Sequence, residues 1–67
     1  MKLHVDRELG AIHLVLSDAQ GIIESEEVHP GVVLDFDAER RVVGVELLGL
    51  RDRIPDAMLR SLEFETS

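Results

Sequence analysis

The sequence predicts an α+β domain: an antiparallel β meander of about four strands, followed by one C-terminal amphipathic helix packed on one face. Three observations carry that expectation. Apolar and polar residues alternate over most of Lys2–Leu48, as in half-buried strands. Turn residues interrupt the alternation at Asp6–Gly10, Ser17–Gly21 and Ala38–Arg41. Beyond Leu48 the spacing lengthens, and Ile54, Met58 and Leu62 recur at i, i+4 and i+8. The 67 residues read as one small domain, with the meander over 2–48 and the helix over about 54–63.

The elements follow in order. KLHVD (Lys2–Asp6) places Leu3 and Val5 on one face and His4 on the other. Asp6 can start a turn and Gly10 can take positive φ, so AIHLVLS (Ala11–Ser17) returns as the second arm of a hairpin. There Ile12, Leu14 and Leu16 share a face, opposite Ala11, His13 and Val15. After SDAQG, the segment IIESEEV runs through Pro30-Gly31 into VVLDFD. This is expected to be one bent strand, because proline cannot donate to a ladder and glycine permits a bulge. Val32, Leu34 and Phe36 form one of its faces, and Val33, Asp35 and Asp37 the other. AERR turns into VVGVELLG, where Val43, Val45 and Leu47 oppose Val42, Gly44, Glu46 and Leu48. In the tail, Pro55 suits a first helical turn, Asp56 complements the helix dipole, and Ala57 and Leu59 widen the apolar stripe. One helix covers one sheet face, leaving Val15, Val33, Val42 and Leu48 on the other for a second copy.

Composition bounds the function. There is no cysteine, tryptophan or tyrosine, so the core is aliphatic and has no disulfide or thiolate staple. A chain this small without staples gains stability by self-association, and a homo-oligomer is expected. Seven basic against fourteen acidic residues give a formal charge of −7. That balance repels phosphate backbones and argues against nucleic-acid binding, while favouring a basic protein partner. No apolar run approaches the ~20 residues that span a bilayer, and the N-terminus has no signal-peptide core, so no membrane contact and a cytoplasmic location are expected.

VDRELGAIHLVLS followed by SEEVHPGVVLDFDAERRVVGVELL resembles a small bacterial and archaeal family, that of domain of unknown function twenty-two eighty-three. Glu27, Val28, Pro30, Gly31, Leu34, Asp35, Phe36 and Asp37 carry the likeness, with Val42, Val43, Gly44, Glu46 and Leu48. It covers about residues 5 to 48. Val5 and His13 stand where the family usually has tyrosines, so a binding role resting on those rings would not carry over. Some members resemble antitoxins in being encoded beside small toxin-like ribonuclease-fold proteins, which implies an antitoxin-like role toward a basic partner.

Two groups could bind metal. Glu27 and His29 are spaced to share a strand face, with Asp35 and Asp37 as further oxygen ligands. His4 and His13 could be cross-strand neighbours. Against both stands the simpler account of solvent-facing polar positions, since neither spacing is a metal signature. Glu46, mid-strand beside Gly44, is expected to pair with Arg40, Arg41 or Arg51. Asp35 and Asp37 read as turn-entry aspartates accepting backbone N–H groups. No serine sits in a nucleophile elbow, so no catalytic residue, cofactor or enzyme activity is expected. The resulting expectation is a non-enzymatic protein-interaction module that self-associates. The alternative is a metal- or small-ligand-binding domain built on Glu27/His29 or His4/His13.

Overall fold

The computed structural model describes residues 1–17 and 21–66; of the expected Ser17–Gly21 turn, positions 18–20 lie outside the described residues. Five strands form one antiparallel sheet: β1 (Lys2–Asp6), β2 (Ala11–Val15), β3 (Glu24–His29), β4 (Val32–Phe36) and β5 (Val42–Leu47). Their spatial order is β1-β2-β5-β4-β3. A 3₁₀ turn, η1 (Leu50–Asp52), and a single helical turn, α1 (Asp56–Leu59), complete the chain.

This corrects the expected fold in three respects. The sheet has five strands because Pro30-Gly31 is a hairpin turn rather than a bend within one strand. His29 pairs with Val32 across it, and Gly31 sits at φ 81°. Proline followed by a left-handed glycine is the order that a type II turn requires. The bulge lies one step earlier, where the register shifts between Glu27 and His29. Second, the sheet is not a simple meander. The β1–β2 hairpin and the β3–β4–β5 meander join through β5, which pairs with both β2 and β4. Charge explains the placement: β3 (ESEEVH) carries three glutamates and is exposed throughout, as suits an edge. β5 (VVGVEL) carries one charge and takes the centre.

Third, the amphipathic helix over 54–63 is replaced by the one turn of α1. Pro55, expected in the first turn, stands just before it as the N-cap, and after Leu59 the backbone tightens, with Ser61 N–H bonding to Met58 C=O at 3.1 Å. So short a helix cannot lay the expected stripe on a sheet: Met58 and Leu62 are exposed, Ile54 is half-buried and Leu59 alone is buried. The buried hydrophobic residues are few, namely Val43, Leu50 and Leu59.

The turns are well specified. Asp6 Oδ1 accepts the Leu9 N–H at 3.0 Å, and Gly10 closes the first hairpin at φ 66°. The five-residue connection between β4 and β5, 37–41, holds Arg40 at φ 64°. There Asp37 accepts the N–H groups of Glu39 and Arg41 through Oδ1, and the Arg41 guanidinium through Oδ2, each at 2.9 Å. Gly49, at φ 65°, then turns the chain into η1.

Candidate functional site

Register places two distinct surfaces on the sheet. Leu3, Leu14, Val45 and Leu34 line up across β1, β2, β5 and β4 on one face. The opposite face carries the row His4, His13, Glu46, Val33 and Glu27, and beside it Val15, Gly44, Asp35 and Ser25. Three polar residues of that second face, His13, Ser25 and Glu46, converge on Asp35.

Asp35 is wholly buried, at 0 % exposure, which for a carboxylate demands a full set of partners. Ser25 Oγ donates to Oδ1 at 2.7 Å, and His13 Nε2 meets Oδ2 at 2.9 Å. Glu46, from β5 between them, brings a carboxyl oxygen to within 4.8 Å of the same group. One donor atom each from His13, Asp35 and Glu46 lies within 4.8 Å of the others. No buried side-chain polar atom among the described residues lacks a partner. Gly44 makes this packing possible: a Cβ there would stand 2.5 Å from Asp35 Oδ2.

The electrostatics separate the two acids. Burial pushes the Asp35 carboxyl up, but hydrogen bonds from Ser25, Glu46 and His13 and the attraction of His13 outweigh it and hold the group below its ordinary value. Glu46 moves the other way, raised first by its hydrogen bond to Asp35, then by burial and by the Asp35 charge. The pair therefore favours a state in which Glu46 keeps the proton and donates it to an ionised Asp35. Asp37 lies below its ordinary value mainly through the backbone N–H of Arg41, with the Arg41 side chain and the Glu39 N–H adding to it against burial.

Of the residues singled out in the sequence, His4 and His13 are direct cross-strand partners in the β1–β2 register. His13 belongs to the Asp35 cluster, while His4 is exposed. The register shift separates Glu27, opposite Val33, from His29, opposite Val32, and so puts them on different faces. Asp37 caps its turn as anticipated; Asp35 does not, its carboxylate being held by side chains. Glu46 meets Asp35 rather than an arginine. Arg40 pairs instead with Glu24 at 2.8 Å and stacks on Phe36, Arg41 pairs with Asp37, and Arg51 donates to the Arg7 carbonyl. Sequence reasoning missed Asp35 as a hub, although its alternation with Leu34 and Phe36 already placed it on the face of His13. The missing information was strand order, which brings β2, β5 and β4 side by side. Ser25 does not donate to His13, so the serine, histidine and aspartate here do not form a nucleophilic relay.

The amino-acid sequence that builds this sheet has a match among known families. The family described as "Protein of unknown function (DUF2283)" matches residues 2–51, most of the chain, and the chain belongs to it. No curated protein and no solved structure matches the sequence. None of the described helices is long and apolar enough to cross a membrane.

Proposed function

We propose that this chain is a non-enzymatic protein-interaction module that self-associates through the apolar face of its sheet. One observation carries the reading. Leu3, Ile12, Leu14, Leu34, Val45 and Leu47 share that face, yet each remains partly exposed. A second layer would bury such residues fully, as it does in two-layer domains. The strands β1, β2, β4 and β5 present no charged side chain on this face, and its glutamates, Glu24 and Glu26, lie on the edge strand β3, so its centre suits a second aliphatic surface. A second copy supplies that surface by two-fold symmetry. It also supplies the core that three buried aliphatic residues cannot. The glutamates of β3 then form a charged rim and keep the sheet edges from pairing indefinitely.

Sedimentation across a concentration series tests the reading. The wild-type chain is expected to be dimeric at about 50 μM, and Leu14→Glu to be monomeric while retaining β-sheet circular dichroism, at a cost of several kcal/mol in association. A folded wild-type chain that stays monomeric to several hundred micromolar, on the order of the weakest stable pairs, would sink it. If that monomer captured a small basic protein at one to one, the antitoxin-like version of an interaction module would replace self-association.

A further inference from the structure

We propose that His13, Asp35 and Glu46 form a binding site for a divalent first-row transition-metal ion on the polar face of the sheet. The three side chains come from adjacent strands, β2, β4 and β5, so the sheet ladder fixes their spacing. One imidazole nitrogen and two carboxylate oxygens are a donor set that zinc, manganese and iron accept. The donors lie within 4.8 Å of one another. An ion with bonds of about 2.1 Å holds three ligands roughly 3.4–3.6 Å from one another, so the widest pair would close by up to about 1.4 Å on binding.

Two further features favour a cation over a merely structural knot. The first is charge. Asp35 and Glu46 are close-packed carboxyls whose ion-pair partner among the described residues is His13 alone, and no lysine or arginine is salt-bridged to either. A metal ion would bring these two carboxyls a positive charge that no lysine or arginine supplies. The second is orientation. Ser25 holds Asp35 Oδ1, which leaves Oδ2 aimed at His13, the arrangement in which an outer partner fixes a ligating carboxylate. Gly44 keeps the space beside Oδ2 free of a Cβ. His13 is 32 % exposed, which gives an entry path from solvent. The site lies on the face opposite the proposed dimer surface, so each proposal can fail without the other.

Titration of the untagged wild-type chain with zinc, manganese and nickel chlorides at neutral pH tests the site, by calorimetry and by thermal melting. The expected result is one ion per chain for at least one metal, a raised Tm and proton release on binding. Glu46→Gln keeps the side-chain size and a hydrogen bond to Asp35, so it preserves the fold and should weaken binding by at least about tenfold. His13→Gln should do the same, whereas Glu27→Gln and His29→Gln should leave binding unchanged. Absence of heat and of any Tm change with all three metals overturns the proposal. So does stoichiometric binding that survives Glu46→Gln and His13→Gln.

Discussion

Asp35 shows how much one buried carboxylate imposes on its neighbours. Ser25 must donate, His13 must approach, Gly44 must lack a side chain and Glu46 must surrender its charge. The last of these has a measurable pH signature. The carboxyl of Glu46 is raised in the folded state, so it binds its proton more tightly there than in the unfolded chain. Its contribution to stability is therefore complete at acid pH and is lost as the pH rises through the folded-state value. Glutamine mimics the protonated acid at every pH. Glu46→Gln is thus expected to melt a few degrees above the wild type near neutrality, a scale set by a fraction of a kcal/mol in a domain of this size, with the gap closing on acidification. Melting curves over a pH series read this directly; a variant that is less stable than the wild type at neutral pH contradicts a proton held by Glu46.

At the scale of elements, the turns carry the topology. Pro30-Gly31 decides whether 24–36 is one strand or two, and Gly31 is the residue that decides it. At φ 81° an L side chain is strained, and a Cβ there would lie 2.9 Å from the Leu48 carbonyl oxygen. Gly31→Ala is expected to cost about 1–2 kcal/mol, enough to lower Tm by roughly 4–8 °C per kcal/mol in a domain of this size. A thermal melt unchanged by the substitution would show that the turn is not fixed at this glycine. The same turn marks the limit of what was legible beforehand. Alternation revealed which residues share a face in β1, β2 and most of β4 and β5, but not past the register shift where Phe36 pairs with Val42. It could not reveal that the chain reverses at Pro30, since proline followed by glycine serves a bulge and a hairpin equally well. Nor could a local pattern reveal that β5 returns between β2 and β4, which is what brings His13 to Asp35. The signal that could have ordered the strands was charge: three glutamates in β3 mark an edge and the lone glutamate of β5 a centre. In the tail, the stripe of Ile54, Met58 and Leu62 was regular, but the helix lasts one turn and a stripe needs length.

For the whole molecule, the open question is whether local attraction or global repulsion governs its response to salt. Fourteen acidic residues against seven basic ones sit on a body of 38 × 30 × 20 Å. The ion pairs Arg40–Glu24, Arg41–Glu39 and Arg60–Asp56 are exposed, and exposed pairs contribute at most about 1 kcal/mol each. Like charges face each other over longer distances, which screening reaches most strongly. The Debye length falls from about 30 Å at 0.01 M to about 10 Å at 0.1 M, from nearly the length of the molecule to half its thinnest dimension. Repulsion is therefore removed over that interval while the contact pairs, some 3 Å apart, are weakened less. Sodium chloride is expected to raise Tm by several degrees between about 0.01 and 0.5 M, and to tighten dimerisation, because two copies of charge −7 repel as they approach. Melting and sedimentation in the same chloride series check both effects together. A Tm that falls as chloride is added would mean that the surface pairs outweigh the net charge, and the acidic surface would then have to be read as a set of local contacts.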